Sequence, residues 1–153
     1  MDELIKSLIK VSDIDSDIDP NLRIICLKVM RKVIEMENPA SVKPASEWES
    51  EDWEKFREEV KVKQNMLINL QVVKLLCNLI AYESKLTIKE EALLVAIACL
   101  LGGNYDTQQK FAEYISTDYS NQFIISLKDM LNDAFESMKR TQFKRNEQKL
   151  KLI

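Results

Sequence analysis

Histidine is missing from this chain, and glycine occurs only twice, side by side at Gly102 and Gly103. Without an imidazole the commonest general base, the usual activator of a serine or cysteine nucleophile and the commonest zinc ligand are all gone, which excludes hydrolase triads and Cys/His zinc sites. Three prolines and two glycines in 153 residues leave long stretches free of helix breakers. The three cysteines, Cys26, Cys77 and Cys99, are odd in number, form no CxxC pair and lie in apolar segments. They are expected to be reduced core thiols in a cytosolic compartment rather than a disulfide framework. Long apolar runs are lacking too. The longest, Ala92 to Leu101, is about half of what a bilayer crossing needs, so no membrane insertion is expected of this segment.

What remains is a chain that is 46% hydrophobic and 31% charged, enough for one continuous core. Apolar positions recur at helical spacing almost throughout, with helices expected near residues 3–11, 20–37, 50–68, 71–82, 88–101, 106–115 and 121–138. Asp19 and Pro20 suit the N-cap and first turn of the second. The prolines and serines of residues 38–48 read as a connection, and Asn69–Gln71 as a break. Thr87 and Glu90 match a capping box, in which the hydroxyl accepts from the third N–H and the glutamate reaches back. The apolar run that follows predicts a helix covered on all sides, with Ile97 in the core. Gly102 or Gly103 is expected to close it in the left-handed conformation. Helices in succession, several apolar on more than one face, predict an all-α fold of armadillo-like type, a solenoid segment of stacked antiparallel helices making a single domain over 1–138. Residues 139–153 would be a basic helical extension, cut where a longer chain continues.

Charge is distributed unevenly. The net value is −3, yet Lys139, Arg140, Lys144, Arg145, Lys149 and Lys151 against Glu147 give the last stretch +5, leaving −8 for everything before it. With Phe143, Leu150 and Leu152, that stretch has the mixture of a calmodulin target or a membrane-surface helix, although a solvated helix end has it as well. Glu47, Glu49, Glu51, Asp52, Glu54, Glu58 and Glu59 surround Trp48, Trp53 and Phe56 and would repel nucleic acid. Those aromatics are either anchors of the domain's own core or contacts for a partner. The alternating Asp13, Asp15, Asp17 and Asp19 fail as a calcium loop, because isoleucines stand where glycine and a bidentate glutamate are required. The two glycines fail as a phosphate loop, because they follow a helix instead of leading into one. No catalytic residue, cofactor or metal is expected, and the chain is read as no enzyme.

One stretch carries more. "LLVAIACLLGGNYDTQQKF", Leu93 to Phe111, resembles the central helical region of the intracellular calcium-release channels, the inositol trisphosphate and ryanodine receptors, whose run has the form "LLLAIALLxGGNxxVQxxF". Leu93, Leu94, Ala96, Ile97, Ala98, Leu100, Gly102, Gly103, Asn104, Gln108 and Phe111 match it, while Cys99, Leu101 and Thr107 depart, the last from a position usually aliphatic. "DPNLRIICLKVMRKVIE" and "REEVKVKQNMLINLQVVKLLCNLI" look like the helices leading into the motif. The resemblance favours the inositol trisphosphate receptor over the ryanodine receptor. It implies a cytosolic coupling segment of a homotetrameric endoplasmic-reticulum calcium channel, relaying conformational change between ligand-binding and pore regions and contacting neighbouring domains of the parent channel. Calmodulin or another protein at the basic tail is a further expected partner. The alternative is a free-standing helical-repeat scaffold or adaptor that binds a peptide or calmodulin.

Overall fold

The computed structural model describes residues 1–15, 17–35, 45–117 and 120–152. Among these the fold is all-α: α1 (Asp2–Ser12), α2 (Pro20–Glu35), α3 (Ser50–Asn69), α4 (Val72–Tyr82), α5 (Leu86–Leu100), α6 (Tyr105–Ile115) and α7 (Asn121–Lys151), with no strand. The expected end of α2 at 37 and most of the proline-rich connection lie outside the described residues. Ala45–Glu47 form a single tight turn.

Local chemistry sets most boundaries. The Asp19 carboxylate accepts from the Asn21 N–H at 2.7 Å, capping α2 just before Pro20. At α3 the Glu49 and Asp52 side chains form a reciprocal capping box. Between α3 and α4 the chain bends by 71°, with Gln71 in the left-handed region at φ 64°. The capping box expected at Thr87 and Glu90 does not form. Helix α5 begins earlier, at Leu86, with Lys85 at its N-cap and no side-chain cap. Glu83 organises the approach instead: its Oε1 accepts from Ser84 N at 2.9 Å and from the N-cap Lys85 N at 3.1 Å.

Packing follows a row that departs from chain order. Helix α1 lies on α2, α2 most extensively on α5, α5 on α4 and α4 on α7, while α3 and α6 contact each other and the middle of the row. One continuous core runs through it, from Ile5, Leu27 and Met30 through Leu76, Leu79 and Ile80 to Ile88, Val95 and Phe123. Each fully buried side chain of this kind is worth about 1.5–3 kcal/mol of transfer free energy. Cys77 and Cys99 are buried in it and Cys26 is buried on α2, and burial pushes the Cys77 and Cys99 thiols up to about 12, so those two pack as inert hydrophobes.

The expected coverage of α5 is corrected. Helix α5 is not enclosed: Leu94 is 41% and Ile97 47% exposed, so Ile97 is no core residue. Helix α2 packs on α1, α5 and α3 but leaves Leu22, Ile25 and Val29 as an exposed stripe. The apolar face of α7 is covered only at its start, where Phe123 is buried and Leu127 and Met130 half-buried. Beyond Met130 the helix continues unbroken to Lys151 with every side chain exposed; Leu131, Ala134 and Ser137 still flank an open groove with Leu86 and Leu93 of α5, and the residues after them project as about 20 Å of rod at 1.5 Å per residue. Among the described residues no single helix is long and apolar enough to cross a membrane.

Candidate functional site

The run with the strongest pattern folds as a joint between three helices. Helix α5 ends at Leu100, and Gly102 and Gly103 both take positive φ, 78° and 72°. Two consecutive left-handed residues turn the chain sharply, which residues with a Cβ resist. A Cβ on either glycine would meet nothing within 4 Å, so the constraint is conformational and not steric crowding. Asn104 then caps α6 through its side-chain Oδ1, which accepts from Asp106 N at 3.1 Å.

The same Asn104 side chain donates to Gln64 Oε1 at 3.1 Å and to Asn65 Oδ1 at 2.7 Å, both on α3. Gln64 in turn donates to the carbonyls of Ala98 at 2.9 Å and Leu101 at 2.8 Å, two of the orphan acceptors at the end of α5. Asn65 closes the network by donating to Asp106 at 3.1 Å. Gln64 and Asn104 are buried, so these bonds form away from competing water. One glutamine therefore fastens α3 to the last turn of α5 and to the first of α6. Phe111 anchors α6 in the core, whereas Gln108 is exposed and contributes its backbone N–H to the Asn104 carbonyl. Thr107 is fully buried, and its hydroxyl finds no partner among the described residues.

Beside this joint opens a cleft of about 760 Å³ between α3, the end of α2 and the glycine turn. Phe56, Val60, Leu101 and Tyr105 give it apolar walls, and Glu35, Glu54, Glu58, Arg57 and Lys61 line its rim. Trp48, Trp53 and Phe56 pack on one another with ring centroids 4.7 to 6.2 Å apart, at edge-to-face and tilted angles. They are not anchors of the main core. Trp53 is 43% exposed, and α3 docks instead through Gln64, Leu67 and Ile68. The structure thus brings the aromatic cluster and the glycine turn to one cleft through Phe56. It leaves Thr87 and Glu90 exposed on the first turn of α5, and Lys139, Arg140, Lys144 and Arg145 exposed on the projecting half of α7.

A second polar joint, not anticipated from the pattern of residues, sits at the other end of α5. Arg23 on α2 bonds Glu83 at 2.7 Å, with both side chains about 6% exposed, and also donates to the Ser12 carbonyl that ends α1. Burial alone would raise the Glu83 carboxyl. The Lys85 N–H, the Arg23 guanidinium and the Ser84 N–H outweigh it and hold the group below its ordinary value. Arg31 and Glu91, 2.8 Å apart, add a second pair between α2 and α5. Lys89 donates to Ser126, whose hydroxyl donates to the Ile80 carbonyl, tying α7 to α4 and α5. The one sequence signal for such residues is a charge or amide recurring inside an otherwise apolar helical face.

Among the described residues no three His, Cys, Asp or Glu side chains converge as a metal site would require. The cleft offers apolar walls, a charged rim and a rigid polar backing, a surface suited to receiving a side chain or helix edge. No protein-family model matches the chain, and no curated protein matches it at a significant level.

Proposed function

We propose that the chain is a cytosolic coupling segment of a homotetrameric calcium-release channel of the endoplasmic reticulum, of the inositol trisphosphate receptor kind, with a mechanical and non-enzymatic role. The observation that carries this reading is that Gly102, Gly103 and Asn104, residues on which the resemblance rests, form a turn that Asn104 bonds to α3, with Phe111 of the same run buried in the core. A segment that relays displacement needs helices that move as a block and a junction that keeps their relative angle, and the amides of Gln64 and Asn104 supply that junction. As part of an armadillo-like solenoid it would pass rotation from the ligand-binding region to neighbouring domains towards the pore. The test is Gln64→Leu in the full channel, read as calcium flux against ligand concentration. Shifted gating with ligand binding preserved supports the relay. Unchanged gating, in a channel whose isolated segment has lost stability, rejects it.

One observation favours the adaptor alternative. The cleft has apolar walls and aromatic neighbours of the kind that accept a peptide anchor. Saturable binding of a peptide by the isolated chain, abolished by Phe56→Ser, would move the assignment to a scaffold.

A further inference from the structure

Among the described residues two surfaces have no cover and opposite charge. Residues 139–152 form a helical rod with net charge +5, and residues 47–59, around the cleft, carry −5. On the rod, Phe143 and Leu150 are 66% and 71% exposed and lie seven residues apart, so they share a face, with Arg140 one turn before Phe143, Glu147 between the two and Lys144 and Lys151 beside them. In the cleft, Phe56, Leu101 and Tyr105 supply apolar walls, and on the rim Glu35, Glu54 and Glu58 outnumber Arg57 and Lys61. The two surfaces pair an apolar ridge of net positive charge with an apolar groove beside a segment of net negative charge.

The rod cannot reach its own cleft. Helix α7 is continuous from Asn121 to Lys151 and is seated on α4, while α3 packs against α2, α4 and α6, so folding the rod back would require breaking it. We infer that the occupant of the cleft is the basic half of α7 from a second copy of this chain. The contact joins two different faces, so each copy offers one rod and one cleft, and association proceeds head to tail into a ring or an open chain. The inference is independent of the channel assignment, since it concerns only the 153-residue chain.

The chain itself is the reagent, and both of its tryptophans, Trp48 and Trp53, lie beside the cleft, so intrinsic fluorescence reports on that face. Sedimentation velocity should show the average mass rising with concentration at about 50 mM salt and returning towards monomer at about 500 mM, with a parallel change in tryptophan emission. Arg140→Glu/Lys144→Glu and Glu54→Lys/Glu58→Lys, all exposed positions, should each remain monomeric with an unchanged melting temperature. Mixing the two variants should restore association, because each reversed surface then meets its complement. Phe143→Ser should weaken it at least tenfold. A chain that stays monomeric at every concentration overturns the inference. So does association that survives the α3 reversal, which would place the contact along α7 alone. Binding of calcium-loaded calmodulin or anionic vesicles to a chain that does not self-associate also overturns it and assigns the rod to that partner.

Discussion

The two ends of α5 are fastened by opposite kinds of chemistry. At its start a buried ion pair, Arg23–Glu83, gathers the end of α1, the body of α2 and the first N–H groups before α5. At its end two buried amides, Gln64 and Asn104, collect the last carbonyls of α5 and the cap of α6. A charged joint gains from short, strong bonds but carries the desolvation cost of both ions, and it responds to pH. An amide joint is weaker bond for bond and indifferent to pH, and it costs little to desolvate once every donor and acceptor is matched. If α5 is a lever, its start is held by a clamp that acid can loosen and its end by one that acid cannot.

The largest test of that contrast is Glu83→Gln, which leaves the Arg23 guanidinium buried without a counterion. We expect a loss of about 3 kcal/mol or more in denaturant unfolding. Arg23→Met/Glu83→Gln should recover part of it, and the difference in a double-mutant cycle measures the coupling. The pH dependence follows from the depressed Glu83 carboxyl. Its folded pKa lies below the unfolded one, so its contribution is fully present above the unfolded value and disappears as pH falls through the folded value. Stability measured from pH 7 down through the carboxylate range should therefore fall less steeply in Glu83→Gln than in the parent chain. Equal slopes would show that Glu83 is not a pH-sensitive element.

At the other end, Gln64→Leu keeps the volume but strands the Ala98 and Leu101 carbonyls and the Asn104 amide. A loss of about 2 kcal/mol is expected, smaller than at Glu83, with the acid dependence unchanged from the parent chain. Parallel pH curves for this variant, beside a flattened one for Glu83→Gln, would establish that only one clamp titrates.

Much of the fold was legible because it is written locally. Helical spacing located all seven helices, Asp19 announced a cap, and the paired glycines announced a stop. The clamps were not legible, because their partners lie far apart in sequence: Glu83 is 60 residues from Arg23, and Asn104 is 40 from Gln64. Thr87 and Glu90 mislead for a related reason. The local pattern is complete, but Glu83, already held by Arg23, takes the Ser84 and Lys85 N–H groups, and α5 starts two residues early at Leu86. Ile97 misleads because a helix apolar on every side has no phase from which to read its uncovered face. Trp53 looked like an anchor and proved half-exposed, since the aromatics found one another rather than the core.

Smaller effects refine the amide end. Gly103→Val places a branched side chain at φ 72°, where nothing crowds its Cβ. The expected loss of about 1–2 kcal/mol in thermal unfolding is then purely backbone strain, and a neutral result would mean the turn relaxes out of the left-handed region.

The smallest expected change runs the other way. Thr107 lies on the first turn of α6, fully buried, and its hydroxyl has lost water without gaining a partner among the described residues. Thr107→Val exchanges that hydroxyl for a methyl of nearly the same shape, keeps the β-branch and leaves the Asn104 cap untouched. Burying an unpaired hydroxyl costs about 1–3 kcal/mol in proteins, of which roughly 1 kcal/mol should return as stability once the group is removed. Thermal unfolding should show the gain in the parent chain and in Glu83→Gln alike, because the two sites have no shared partner and their effects should add. A loss instead would mean that the hydroxyl is satisfied after all, and that the amide end of α5 contains one more bond than the network through Gln64 and Asn104.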